Sequence, residues 1–128
     1  MDVLTSRVLL RPSDPEASRV FYRDVLGLAV AREFGPPEHP GLVLHLGGGG
    51  LLEISGRSTE PKHGLALWLQ VRDVRVEHAR LFAAGVEVLR PPALEPWGLV
   101  EAWVADPDGV RIVLVEVPAD HPLRRDQR

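Results

Sequence analysis

Short apolar runs separated by glycine and proline dominate the hydrophobic pattern of the chain. The first run, 3–11, alternates loosely and predicts a strand. Asp14 and Pro15 then have the residue types of a helix N-cap and a first helical turn, and Gly27 stands where a left-handed helix stop is expected. The segment between them is predicted to be a helix with one apolar face, because apolar residues recur there every four positions, at Ala17, Phe21 and Val25.

The same order of elements then occurs a second time. Three apolar runs follow the first predicted helix, at 28–34, 42–46 and 51–55. A strand over 65–71 leads to a second predicted helix, capped by Asp73 and ended by Gly85, whose apolar face includes Val74, Leu81 and Phe82. Three further runs are expected as strands at 86–90, 99–104 and 111–117, the first of them broken by Pro91-Pro92. An offset of about 58 residues relates the two halves, which predicts an internal duplication.

The length of 128 residues fits one domain. We expect that domain to cover 1–118, with module one at about 1–58 and module two at about 61–118. Residues 119–128 are polar and charged, and they predict a flexible tail.

Composition removes several classes of function. The chain has no cysteine, which excludes a thiolate nucleophile and cysteine-based metal sites. Fifteen lysines and arginines oppose eighteen aspartates and glutamates, for a formal net charge of -3, so nucleic acid is not an expected partner. No apolar window is long enough for a membrane span and no charged leader precedes one, so we expect a cytoplasmic protein without a membrane partner.

Three motifs in a fixed order resemble a known family. The segment from Asp14 to Leu28 reads DPEASRVFYRDVLGL, and it is followed by PWG at 96–98 and DPDG at 106–109. Together these motifs resemble the vicinal oxygen chelate superfamily, which includes glyoxalase I, extradiol dioxygenases, fosfomycin-resistance enzymes and bleomycin-resistance proteins. The resemblance covers about residues 3–117. It implies an α+β fold of two βαβββ modules in tandem, whose curved mixed sheets enclose a pocket, and it implies a homodimer.

The resemblance also implies where metal ligands would lie, on the first and last strands of each module. The residues at those positions are Arg7, Glu53, Ala66 and Val113. Arginine carries only donors, and alanine and valine have no ligand atom, so Glu53 alone is of a ligating type. His63 and Glu116 lie three residues from vacant positions, which on a strand places them on the opposite face. A catalytic zinc generally needs three protein ligands, and we therefore expect no metal and no cofactor.

Strand alternation predicts what the pocket presents instead. Ala66 occupies the ligand face, so Trp68 and Gln70 should share it. By the same rule Leu9 accompanies Arg7 and Arg111 accompanies Val113. His45 alternates with Val43 and either faces the pocket or is exposed. The resemblance places Trp97 near the pocket mouth, whereas the facing of Trp103 stays open because 99–104 is apolar on both faces.

These residues favour a metal-free protein that sequesters an aromatic or polycyclic compound, such as an antibiotic, in the way of bleomycin-resistance proteins. Such a site needs an apolar cavity with few polar groups and no catalytic group. The candidate ligand-binding residues are Trp68, Trp97, Trp103, Arg7, Glu53, Gln70, Leu9, Ala66, Val113, Arg111 and His45. A structural interpretation, which does not exclude the first, is that the tryptophans fill the core or a dimer interface and that Arg7 pairs with Glu53.

An enzyme is the alternative function, in two forms. One is a glyoxalase-, epimerase- or dioxygenase-like centre that depends on a metal. In the other, Glu53 acts as a general base with its pKa raised by burial, and Arg7 stabilises an enolate. A protein-interaction module without a ligand remains a third possibility, because a fold does not determine a function.

Overall fold

The computed structural model describes residues 1–125 of the protein. The chain divides into two compact units, unit 1 at Met1–Pro61 and unit 2 from Lys62 onward. Each unit holds one four-stranded mixed sheet. The predicted α+β fold of two tandem modules is therefore confirmed.

Unit 1 contains four strands and one helical segment. The strands are β1 (Val8–Leu10), β2 (Val30–Phe34), β3 (Gly41–Gly47) and β4 (Gly50–Ile54), and the helix α1 (Pro15–Arg19) continues as a π-helix over Val20–Val25. The spatial order is β1-β4-β3-β2. β1 runs parallel to β4, and the other pairs are antiparallel.

Unit 2 repeats this arrangement. Its strands are β5 (Ala66–Gln70), β6 (Val88–Leu94), β7 (Val100–Ala105) and β8 (Arg111–Glu116), and its helices are α2 (Val74–Ala83) and α3 (Pro122–Arg125). The spatial order is β5-β8-β7-β6, with β5 parallel to β8. The two sheets thus have the same topology, as a duplication requires.

The first helix begins where the sequence predicts and then widens. The Asp14 carboxylate accepts a hydrogen bond from the Ala17 N–H at 3.1 Å. The Leu26 N–H donates to the Phe21 carbonyl, five residues back, at 2.7 Å, which is the pairing of a π-helix. The wider turn changes which side chains share a face. Phe21 and Tyr22 are both buried, whereas Val25 is only partly covered.

Two carboxylates hold the N-terminus of α2. The Asp73 carboxylate accepts from the Val76 N–H at 3.1 Å, and Glu116 accepts from the Val74 N–H at 3.0 Å. Negative side chains are favoured at this end of a helix because its free N–H groups point toward them. Glu116 therefore ties the end of β8 to the start of α2.

The prediction that Phe82 lies on the buried face of α2 is wrong. Val74 and Leu81 are seven residues apart, nearly two helical turns, and both are buried. Phe82 lies one residue further round the helix and is 67% exposed. Its ring stacks with the His78 ring at 6.2 Å between centroids.

Most strands lie within one or two residues of the expected bounds, and two strands, β1 and β6, depart further. β1 starts only at Val8, and the residues before it are exposed, so the apolar run 3–11 is mostly not a strand. β6 continues through Pro91 and Pro92 to Leu94, with register shifts against β7. β6 is an edge strand, where a proline's missing N–H can face away from the neighbouring strand.

The chain after β8 is described as far as residue 125. The His121 N–H donates to the Pro118 carbonyl at 3.0 Å, and its Nε2 lies 3.2 Å from the Trp97 carbonyl oxygen. Of the predicted tail at 119–128, residues 126–128 lie outside the described part. Among the helices of residues 1–125, none is long and apolar enough to cross a membrane.

Candidate functional site

The sheet of unit 2 brings two tryptophans onto one face. Val113 is the register partner of Trp68 on one side and of Trp103 on the other. Directly paired residues point to the same side of a sheet, so the three side chains form one row. This register decides the facing of Trp103, which the sequence leaves open. We call this side of the sheet the tryptophan face, defined by Ala66, Trp68, Gln70, Glu101, Trp103, Arg111, Val113 and Val115.

Two arginines lie over the Trp103 ring. The Arg90 guanidinium carbon is 4.5 Å from the ring centroid, and that of Arg111 is 4.6 Å away. Both are cation–π distances. Arg90 comes from β6 and Arg111 from β8, on either side of β7. The ring of Trp103 is therefore occupied by the protein's own cations and does not offer an open stacking surface.

A buried carboxylate orients both neighbouring indoles. Glu101 is 6% exposed, and its Oε2 accepts the Trp97 indole N–H at 2.6 Å. Its Oε1 accepts the Trp103 indole N–H at 3.1 Å. An ionised carboxylate is an acceptor at both oxygens, so one side chain satisfies two donors. A second buried carboxylate, Glu95, pairs with Arg90 at 2.7 Å.

Two indoles remain open on or beside this face. Trp68 is 49% exposed and Trp97 is 53% exposed. Trp103 packs against a buried apolar cluster formed by Leu99, Val113, Val115 and Val117, which includes the register partner of Trp68. The face thus combines an apolar floor, exposed indole surface and the exposed side chain of Arg111.

Unit 1 carries an ion pair at the equivalent row of its sheet. Arg7 Nη1 lies 2.9 Å from Glu53 Oε1, and the Ser55 hydroxyl donates to Glu53 Oε2 at 2.6 Å. The pairing of Arg7 with Glu53, one of the two predicted alternatives, is confirmed. The Ser55 hydrogen bond and then Arg7 lower the pKa of Glu53. The expectation of a pKa raised by burial is wrong, because both oxygens accept hydrogen bonds that favour the charged form.

Two other candidates share the face of Glu53. Leu9 is its register partner on β1, and His45 pairs with Leu51, two residues before Glu53. Leu9 is 57% exposed and His45 is exposed. The register agrees with the predicted facing of Leu9, and it places His45, whose facing the sequence leaves open, on the same side of the sheet.

A family model decides the relationship of the chain to known proteins. The model of the Glyoxalase/Bleomycin resistance protein/Dioxygenase superfamily matches residues 5–114. The chain belongs to this superfamily. No curated protein sequence matches it.

Several solved structures of the superfamily resemble the chain. TnmS3, an antibiotic binding protein from Streptomyces sp. CB03234, is 27% identical with a TM-score of 0.75, over 91% of this chain and 98% of that one. A glyoxalase-related enzyme from Fulvimarina pelagi is 29% identical with a TM-score of 0.71, over 90% and 88%. A glyoxalase/bleomycin resistance protein from Streptomyces sp. CB03234 is 28% identical with a TM-score of 0.69, over 86% and 97%.

The residues at the superfamily's metal-ligand positions do not fit a metal. Arg7 has no lone pair to offer and is bonded to Glu53, while Ala66 and Val113 carry no ligand atom. Glu116, the near neighbour of one position, is engaged at the start of α2. Within residues 1–125 no group of three histidines or carboxylates is placed to hold a metal ion.

Sequence reasoning missed the polar half of the tryptophan face. Arg90, Glu95 and Glu101 were not among the candidates, although they orient and cover the indoles. The signal for Glu101 was present, since it is the one charge inside the apolar run 99–104 and lies two residues before Trp103. Arg90 and Glu95 lie on either side of the two prolines, where the run was expected to break.

A cleft of about 340 Å³ in unit 1 was also missed. It lies between the first helical segment and the turn after β2, and its lining includes Arg19, Arg23, Glu33, Phe34, Pro36 and Leu42. Arg19 pairs with Glu16, and Arg23 pairs with Asp24 at 2.9 Å. Its arginines are therefore already neutralised by neighbouring carboxylates.

Proposed function

We propose that the protein binds a planar aromatic or polycyclic compound on the tryptophan face and sequesters it. The observation that carries the proposal is the pair of half-exposed indoles, Trp68 and Trp97, beside a buried apolar cluster. Burial of large aromatic side chains is favourable, and an aromatic ligand stacked on these indoles would bury them. Each well-placed ring pair contributes about 0.5–1.5 kcal/mol beyond the buried area.

Rigidity of the site supports the same function. Glu101 fixes the Trp97 indole, and the Trp97 carbonyl oxygen lies 3.2 Å from the His121 ring. Side chains held in place before binding lose less conformational entropy when the ligand arrives. The Trp97 indole is thus positioned before a flat ring arrives.

Antibiotic resistance is the biological role that we propose for this binding. The support is the resemblance to TnmS3, which is described as an antibiotic binding protein. Sequestration needs no catalytic group. By contrast, the hydrogen bonds that lower the pKa of Glu53 make it a weaker base, which disfavours proton abstraction by this residue.

Isothermal titration calorimetry with two planar probes tests the binding function. The probes are anthracene-2-carboxamide, which is neutral, and anthracene-2-carboxylate. We expect at least one of them to bind, and we expect Trp68→Ala and Trp97→Ala each to weaken that binding about tenfold through lost stacking and lost apolar area.

The matched control is Phe82→Ala, which removes another exposed aromatic ring, on α2 of the same unit. It should change the affinity by less than about twofold, since it lies away from the tryptophan face. The proposed function is contradicted if neither probe binds. It is also contradicted if Trp68→Ala, Trp97→Ala and Phe82→Ala all lower the affinity equally.

We also propose that the protein is a cytoplasmic homodimer. The resemblance to the superfamily implies a homodimer, and the absence of cysteine from the sequence suits the cytoplasm. Analytical ultracentrifugation measures the assembly state, and a monomer at micromolar concentration would contradict the dimer. Fractionation of the cells that produce the protein tests whether it is found in the cytoplasm.

A further inference from the structure

We infer that the ligand of the tryptophan face is a planar aromatic compound that carries an oxyanion, such as a carboxylate, and that Arg111 recognises the oxyanion. This inference rests on the proposed function and names the chemical class of the ligand. Its basis is a comparison of the polar groups of the face that already bond within the protein with those that are exposed to a ligand.

The carboxylates on and beside this face are used within the protein. Both oxygens of Glu101 accept indole N–H groups, and Glu95 pairs with Arg90. Both carboxylates are buried, at 6% and 7% exposure. A ligand that brings hydrogen-bond donors would find these acceptors engaged and covered.

The donors are presented outward. Arg111 is exposed, and no ion pair is recorded for it among residues 1–125. The contrast with Arg90 is informative, because both arginines lie over Trp103 but, within the described part of the chain, only Arg90 has a carboxylate partner. Among the described residues, no side chain therefore pairs with the charge of Arg111.

The geometry of Arg111 suits an oxyanion on a ring. Its guanidinium is held over Trp103 at 4.6 Å, so its position is set before a ligand binds. A guanidinium offers parallel N–H donors that match the two oxygens of a carboxylate. Arg111 lies two residues before Val113, the register partner of Trp68, so it lies on the same face as Trp68. One flat molecule can therefore stack on the indole and direct an oxyanion to the arginine.

The test compares anthracene-2-carboxylate with anthracene-2-carboxamide, which have the same ring and nearly the same shape. We expect the wild-type protein to bind the carboxylate about tenfold more tightly, since charge-assisted hydrogen bonds are stronger than neutral ones. That preference should shrink as salt is raised from about 20 mM to about 500 mM.

Arg111→Gln should reduce the preference for the carboxylate over the carboxamide to less than about twofold, because it removes both the charge and the paired donors. Arg111→Lys keeps the charge but loses the paired donors, so it should keep part of the preference. Arg75→Gln removes an exposed charge from α2 of the same unit and serves as the control, with the preference intact.

The outcomes separate the inference from the proposed function. Equal binding of the two probes by the wild-type protein overturns the inference, and this result needs no variant to fold. A preference that survives Arg111→Gln overturns it as well. If neither probe binds, the proposed function itself fails. Trp68-dependent binding without any preference leaves the function standing and removes the oxyanion.

Discussion

Glu53 and Glu101 show how two glutamates on equivalent sheets take different roles. Glu53 accepts from Ser55 and Arg7, whereas Glu101 accepts from two indoles. Glu53 is therefore an ion-paired group, and its protonation would remove the charge that pairs with Arg7. Glu101 is an acceptor that positions aromatic rings.

The lowered pKa of Glu53 makes its contribution to stability depend on pH. The folded state favours the charged form, so the contribution is present above the ordinary carboxyl value of 4.5 and is lost as the pH falls through the lowered value. The Arg7 side chain is 36% exposed, which limits the pair to about 1 kcal/mol. We expect Glu53→Gln to lower the free energy of unfolding by that amount at pH 7.

Urea unfolding of both proteins across the acid range checks this prediction. The difference between them should shrink as the pH falls below 4.5, because Glu53 of the wild type is protonated first in the unfolded chain and, at lower pH, in the folded protein. Glu38→Gln removes the same charge from an exposed position of unit 1 and is the control. A difference that grows toward acid pH would mean that the pKa of Glu53 is raised.

At the scale of elements, the pairing of β2 with β3 depends on a glycine beneath an aromatic ring. Phe34 and Gly41 are register partners, and a Cβ at Gly41 would overlap the Phe34 ring. The Arg32 guanidinium also lies 5.4 Å from the centroid of that ring. The ring thus covers the space that a side chain at position 41 would need.

Gly41→Ala should therefore destabilise the protein by about 1–3 kcal/mol, the usual effect of an added group in a filled space. The loss should be much smaller when Phe34→Ala is present, because the overlapping ring is gone. A double-mutant cycle measured by urea unfolding gives the coupling. Additive effects of the two substitutions on the free energy of unfolding would show that the Phe34 ring moves aside at no cost in stability.

The elements were predictable where a local rule acts alone. Asp14 and Asp73 cap their helices as their residue types indicate, and alternation placed Trp68 on the face of Val113. The rules failed where tertiary packing decides. The π-helical turn that buries Tyr22 and the continuation of β6 through Pro92 have no signal in the local pattern.

At the scale of the whole molecule, the duplication preserves topology and changes chemistry. The row Leu9–Glu53–Val43 in unit 1 corresponds by strand order to the row Trp68–Val113–Trp103 in unit 2. One row carries a carboxylate in an ion pair, and the other carries two indoles and no ionisable group. The binding function that we propose therefore belongs to one unit's sheet.

The fold and about half of this site could be predicted from the sequence. The duplication and the family motifs predicted both sheets, because they span nearly the whole chain. The open tryptophans followed from alternation and from the PWG motif. Alternation also placed Arg111 on this face. Arg90 was missed, since its contact with Trp103 requires the register of β6 against β7, which shifts twice.

The indole N–H signals of the ¹⁵N-labelled protein test the account most directly. The chain has three tryptophans, so each side-chain signal can be assigned with single Trp→Phe variants. On titration with anthracene-2-carboxylate, the signals of Trp68 and Trp97 should shift strongly and in step, and that of Trp103 less, because arginines already cover its ring. Binding of the probe that leaves the Trp68 and Trp97 signals in place would contradict the tryptophan face as the ligand site.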